Sequence, residues 1–143
     1  VPPTPFVHRH RVTYAECTLG NHVYHSRYLD LLEAARGEFL RVAGQPFAAW
    51  QENGVVFPII GCRLEFLQMA RYDDELAIEV RLARLRGARM NFAYMVRNAR
   101  GEPVLTGETC HVCAGLDEKP RRLPPELLAA LQPWLAPAEA VEI

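Results

Sequence analysis

One stretch of this chain limits its fold more than any other. Between residues 26 and 42, Tyr28, Leu31, Leu32, Ala35, Phe39 and Val42 recur at helical intervals and form one apolar stripe. Arg27, Asp30, Glu33, Glu38 and Arg41 fall off that stripe, and Gly44 ends the pattern. Gly37 inside it costs about 1 kcal/mol relative to alanine and is compatible with a sheet passing close to the helix. The segments that follow have mostly a strand period. Leu76, Ile78, Val80 and Leu82 alternate with Ala77, Glu79, Arg81 and Ala83, and Met90, Phe92, Tyr94 and Val96 alternate with their neighbours in the same way. Residues 8–16, 55–70 and 104–115 bring the number of strands to five, with the last four in antiparallel succession. Pro58 and Gly61 predict an edge position or a bulge near the start of 55–70. Residues 17–21 form a turn, 45–54 a loop or short helical piece, and Pro124-Pro125 opens a last helix over 126–135.

One helix cannot be the crossover layer for five strands, which excludes a doubly wound sheet. An α+β fold is expected instead, an antiparallel sheet curved around the long helix. Such a sheet leaves edges to cover, and dimerisation covers them.

At 143 residues the chain is close to the roughly 150 of one domain, so one domain over 1–143 is expected. The 16 Lys+Arg nearly balance the 17 Asp+Glu, for a net charge of −1. That leaves no long-range field to gather nucleic acid or anionic lipid, so any anionic ligand must meet a local basic patch. No apolar run approaches the roughly 20 residues of a membrane helix. The start, Val1-Pro2-Pro3-Thr4-Pro5, lacks the charged and apolar regions of a signal peptide, and the expected compartment is the cytoplasm. Cys110 and Cys113 form a C-x-x-C with no second pair to complete a zinc site. They and the scattered Cys17 and Cys62 read as free thiols, and no metal is expected.

The segment Tyr14-Ala15-Glu16-Cys17-Thr18-Leu19-Gly20-Asn21-His22-Val23-Tyr24-His25-Ser26-Arg27-Tyr28-Leu29, continuing to Glu33-Ala34-Ala35-Arg36, resembles a known signature. It is that of 4-hydroxybenzoyl-CoA thioesterase-like acyl-CoA thioesterases: D-T-D-x-x-G-[HV]-V-[YN]-[HN]-x-x-Y-L, followed by E-x-A-R. Residues 69–76, 109–113 and 120–127 also resemble that family. The resemblance implies the hotdog fold, with a sheet wrapped around one long helix. It implies hydrolysis of an acyl-CoA thioester to a carboxylate and coenzyme A, with no cofactor beyond the coenzyme A of the substrate. It further implies a homodimer that assembles to a homotetramer, with an apolar acyl pocket between protomers for which Phe57, Pro58 and Ile59 are candidates.

In such a family a carboxylate attacks the thioester or activates water, and backbone N–H groups at the start of the long helix polarise the carbonyl. A helix N-terminus suits the second task, because its N–H groups lack intrahelical partners and its dipole favours negative charge. Here that role falls near Tyr24 and His25. The carboxylate departs from the pattern. Thr18 stands where the family has its catalytic Asp, Glu16 stands at the first Asp, and Gly20-Asn21 stands where x-Gly is expected. Three readings stay open: Glu16 supplies the carboxylate, another base such as Glu33, His22 or His25 serves, or the site binds an acyl-CoA without cleaving it. A hotdog dehydratase is a weaker alternative, since the helix lacks a His-Pro context.

Each candidate also has an ordinary structural role. Glu16 can be a solvated strand-end charge, and Glu33 with Arg36 an ion pair on the helix surface. His22 can belong to the turn and His25 can cap the helix. Asn21 can offer its amide to the thioester or take a left-handed conformation. Tyr24 and Tyr28 lean toward packing, and His111 is structural. For the phosphates of coenzyme A the candidates are Arg84, Arg86 and Arg89 around Gly87, and Lys119, Arg121 and Arg122 near the C-terminus.

Overall fold

The apolar stripe becomes helix α1, Arg27–Ala43, and a sheet closes over it. The computed structural model describes residues 5–137, so all but the last residue of the proline-rich start lies outside the described residues. Five strands make the main sheet: β1 (Phe6–Arg11), β5 (Ile59–Phe66), β6 (Glu75–Arg86), β7 (Arg89–Arg97) and β8 (Pro103–Val112). Their order is β1-β6-β7-β8-β5, antiparallel at every pairing. This is the hotdog arrangement.

The core lies between α1 and the sheet. Leu32, Ala35, Phe39 and Leu40 meet Leu76, Ile78, Leu82, Phe92 and Leu105, all at most 1% exposed. Phe39 sits at the centre, its ring edge-on to Phe6, Phe92 and Trp134 at 5.2–5.9 Å. Short elements fill in the ends: β2 (Cys17–Thr18) with β3 (His22–Val23), α2 (Phe47–Glu52), β4 (Val55–Val56) with β9 (Ala114–Gly115), and α3 (Pro125–Leu131).

Several expectations are corrected. The first strand stops at Arg11, and residues 14–16 form a 3-10 turn. There the Thr13 N–H donates to the Glu16 carboxylate at 2.8 Å, a local bond that competes with strand pairing. The 17–21 turn is the tip of the β2–β3 hairpin. The 55–70 segment splits into β4 and β5, with a register shift at Ile59/Gly61. Its main part pairs with β8 at the far edge of the sheet, not with the next strand in sequence. Val42 is 61% exposed, while Leu40 and Arg36 are buried, because their side of α1 faces the sheet, where Arg36 reaches Tyr94. A Cβ on Gly44 would lie 3.3 Å from Leu127 Cδ1. The last helix ends at Leu131 and continues as a 3-10 turn over Gln132–Trp134, where Pro133 brings no N–H.

The glycine with no room for a side chain is Gly107 in the sheet, pressed by the neighbouring strand β5, and not Gly37 in the helix. A Cβ on Gly107 would stand 2.8 Å from Leu64 Cδ2, 3.2 Å from the Arg63 carbonyl oxygen and 3.6 Å from Leu32 Cδ1, whereas one on Gly37 would meet nothing within 4 Å. Urea denaturation should therefore separate the two glycines. Gly107→Ala should lose about 1–3 kcal/mol of stability through overpacking, and Gly37→Ala should gain up to about 1 kcal/mol.

Candidate active site

The β2–β3 hairpin, the start of α1 and the chain just after β5 enclose a cavity of about 420 Å³. Thr18, His22, Val23, Tyr24, His25, Tyr28 and residues 66–69 line it. The hairpin is held from behind. Arg71 donates to the Gly20 and Asn21 carbonyls at 3.3 and 3.2 Å, and the Val23 N–H donates to the Ala70 carbonyl at 2.8 Å. Tyr28 packs its ring 5.7 Å from Phe66. Burial pushes its hydroxyl pKa up, and a hydrogen bond to the Ala70 backbone opposes that only in part.

The helix start offers free donors, one residue later than expected. The Tyr24 N–H is committed to the Glu16 carbonyl at 2.9 Å. The His25 and Ser26 N–H groups have no acceptor among the described residues, and His25 lines the cavity. A carbonyl oxygen placed there meets unsatisfied donors at the positive end of the helix.

Of the sequence candidates, Thr18, His22, Tyr24 and His25 come together around this cavity, while Glu16, Asn21 and Glu33 do not line it. Glu16 accepts from the Thr13 N–H and pairs with His10 Nε2, both at 2.8 Å. Burial pushes its pKa up, but the hydrogen bonds from His10 and Thr13 outweigh this and hold it below the ordinary carboxylate value. Asn21 takes the left-handed conformation at φ 58°, and its Oδ1 accepts from the Tyr72 N–H at 3.2 Å. His22 Nδ1 lies 3.3 Å from the Val23 carbonyl, to which it can only donate, and that tautomer leaves Nε2 unprotonated.

A second cavity, of about 220 Å³, opens farther along α1. Glu33, Arg36, Phe47, Gln51 and residues 55–57 line it. No Glu33–Arg36 ion pair forms among the described residues. Glu33 is exposed, whereas Arg36 is 8% exposed and turns inward, donating from Nη1 to the Tyr94 hydroxyl at 3.4 Å. From there a buried chain runs in one direction. Tyr94 donates to Thr109 at 2.6 Å, Thr109 to His111 Nε2 at 3.0 Å, and His111 Nδ1 to the Phe57 carbonyl at 3.0 Å. Sequence reasoning placed Arg36 on the surface. The missed signal is the i, i+4, i+8 ridge Leu32, Arg36, Leu40, whose two leucines are fully buried.

The two basic clusters become neighbours. The Leu123 N–H donates to the Gly87 carbonyl at 2.9 Å, and the Cys113 N–H to the Ala88 carbonyl at 2.7 Å. Arg84, Arg86, Arg89, Lys119, Arg121 and Arg122 are all exposed at this end of the sheet. Among the described residues none of them has a carboxylate within ion-pair distance.

With this geometry in place, comparison with known proteins is decisive. Residues 12–131 match the Thioesterase-like superfamily. The chain belongs to that family. It is 32% identical over 120 residues to a protein named acyl-CoA thioester hydrolase YbgC from Escherichia coli, covering 83% of this chain and 90% of the relative. It is 29% identical over 142 residues to a 1,4-dihydroxy-2-naphthoyl-CoA hydrolase of Thermosynechococcus vestitus, covering 96% and 95%. The crystal structure of a protein from Thermus thermophilus superposes with a TM-score of 0.85 at 35% identity, covering 90% of this chain and 98% of the other. Within this thioesterase-like chain, no group of three His, Cys, Asp or Glu side chains among the described residues is placed to hold a metal ion. No helix among them is long and apolar enough to cross a membrane.

The buried chain behind the second cavity makes stability depend on pH. Burial lowers the His111 pKa from 6.5 to about 4, although its bond to the Phe57 carbonyl works the other way. Between these values the unfolded chain binds a proton that the folded one refuses. Stability should therefore fall as pH drops from about 6.5 to about 4, by on the order of 3 kcal/mol in all. Urea titrations across that range should show the slope, and His111→Gln should flatten it.

Proposed function

We propose that this protein is an acyl-CoA thioesterase of one hotdog domain. Its thioester lies in the 420 Å³ cavity, with the acyl carbonyl on the free N–H groups of His25 and Ser26. One observation carries this reading: the cavity joins unsatisfied helix-start donors to two imidazoles and an apolar wall, with no carboxylate in its lining. The imidazoles of His22 and His25 then take the carboxylate's place as base. A water oxygen attacks the carbonyl carbon and gives its proton to an imidazole, while the carbonyl electrons move onto oxygen. As the carbonyl re-forms, the C–S bond breaks and the thiolate takes the proton back. The reaction needs no cofactor beyond the coenzyme A of the substrate, and a cytoplasmic setting suits it.

The edges of the sheet support a dimer. β1 presents the exposed charges Arg9 and Arg11, which blunt pairing. The eight-residue β5 leaves one side unpaired and carries the exposed Ile59, Ile60 and Phe66, with Leu67 and Met69 just beyond. That edge is a template for a second copy, and two such dimers give the tetramer implied by the family resemblance. Within one chain the basic patch and the cavity lie at opposite ends of β5, about 24 Å apart at the rise of a strand. Antiparallel β5–β5 pairing about a two-fold axis brings the partner's patch beside the cavity, where it can receive the phosphates of coenzyme A.

Thiol release from a panel of acyl-CoAs tests the chemistry. His22→Gln and His25→Gln together should lower kcat by about 10²–10⁴-fold, while Glu16→Gln should keep most of the rate. The opposite result would return the role to Glu16, and no release from any acyl-CoA would leave only ligand binding. Arg84→Glu with Arg121→Glu should raise KM about tenfold for acyl-CoA, at a cost of about 1.4 kcal/mol. The same pair should leave N-acetylcysteamine thioesters, which lack the nucleotide, unaffected. A monomer by light scattering at micromolar concentration would overturn the dimer.

A further inference from the structure

A third cavity, of about 600 Å³, lies against the β2–β3 hairpin. Tyr14, residues 17–21 and Tyr72 line it, and no charged side chain is among them. Thr18 lines the thioester cavity as well, so the two cavities adjoin at that residue. Three large side chains with apolar surface stand in water around the third one. Leu19 is 95% exposed, Tyr14 79% and Tyr72 53%, and the two phenol rings lie 5.7 Å apart at 48°. A group of this kind at the mouth of a cavity marks a place where an apolar partner is received.

The polar atoms of the hairpin tip are already engaged. The Gly20 and Asn21 carbonyls accept from Arg71, the Asn21 N–H donates to the Thr18 carbonyl at 3.1 Å, and the Asn21 Oδ1 accepts from the Tyr72 N–H. An amide-bearing arm such as the pantetheine of coenzyme A finds little here beyond hydroxyls, whereas a hydrocarbon chain needs no partner. The junction suits the same guest. Thr18 stands at the position where the family signature has its Asp, and the Glu16 carboxylate is turned to His10 and the Thr13 N–H. A carboxylate at the junction would lose water to any hydrocarbon lying across it, at a cost that a threonine methyl avoids.

We propose that the third cavity is a subsite for the far end of an apolar acyl chain, which runs from the thioester past Thr18 to lie on Tyr14, Leu19 and Tyr72. The chain covers side chains that otherwise stay wet, and each added methylene buried there favours binding. This inference rests on the thioesterase reading and adds the substrate class: thioesters of fatty acyl chains too long for the thioester cavity alone.

The test compares kcat/KM for butanoyl-CoA and dodecanoyl-CoA, the latter below its micelle concentration. Wild type should favour the dodecanoyl ester by about tenfold or more. Tyr14→Ala with Tyr72→Ala should lose about tenfold on dodecanoyl-CoA and keep the butanoyl rate. Leu19→Asp, at a side chain almost wholly in water, should show the same split without touching the fold, which urea denaturation checks. Equal losses on both esters, or no loss on either, would overturn the proposal. So would a Phe57→Ala variant that abolishes the chain-length preference, since the tail would then lie in the second cavity.

Wild type that releases thiol from neither ester would sink the thioesterase reading and leave the subsite to be read by binding. Calorimetry with S-butyl and S-dodecyl coenzyme A thioethers serves for that. A preference for the dodecyl ligand that the tyrosine pair of substitutions removes supports the subsite, and equal affinities overturn it.

Discussion

Burial of one face of α1 against a curved antiparallel sheet is the constraint on which the rest of the molecule depends. Leu31, Leu32, Ala35 and Phe39 give up nearly all their solvent exposure to it, and at about 1.5–3 kcal/mol for each large side chain this is a major share of the core. The contact sets where the helix begins. With Tyr28 packed on Phe66 and Val23 bonded to Ala70, the chain enters α1 beside the end of β5. The unsatisfied N–H groups of His25 and Ser26 are carried to the cavity by that geometry. The core thus places two backbone donors at the cavity wall.

The same packing divides the sheet edges into two kinds. β1 closes one side with charge, while β5 leaves an apolar, unpaired rim with a cavity at each end. One cavity holds helix-start donors and imidazoles without a fixed charge. The other holds the buried Arg36 and, in the same lining, the exposed Glu33, with no ion pair between them among the described residues. The apolar β5 rim is the edge along which we propose that a second copy pairs.

Much of this was legible in the chain. The stripe on α1, the alternation in β6 and β7, and the turn residues between them are local periodicities, and local periodicity follows directly from backbone geometry. The signature around residues 14–36 pointed to the family. Other features were not legible for a physical reason. Glu16 looks like a substitute carboxylate until its bonds to His10 and the Thr13 N–H are seen to hold it away from the cavity. Arg36 looks like a surface partner of Glu33 until the sheet buries the Leu32–Arg36–Leu40 ridge. The two arginine clusters lie more than 30 residues apart in sequence and meet only because Leu123 bonds to the Gly87 turn.

By itself, then, the sequence determined one amphipathic helix, five strands and the family, since each is written in neighbours a few residues apart. The tertiary structure alone decided which edge stays open, which candidate side chains face a common cavity, and that an arginine is buried without an anion. Those depend on contacts between segments distant in sequence, where burial and hydrogen-bond partners, not residue type, decide what a side chain can do.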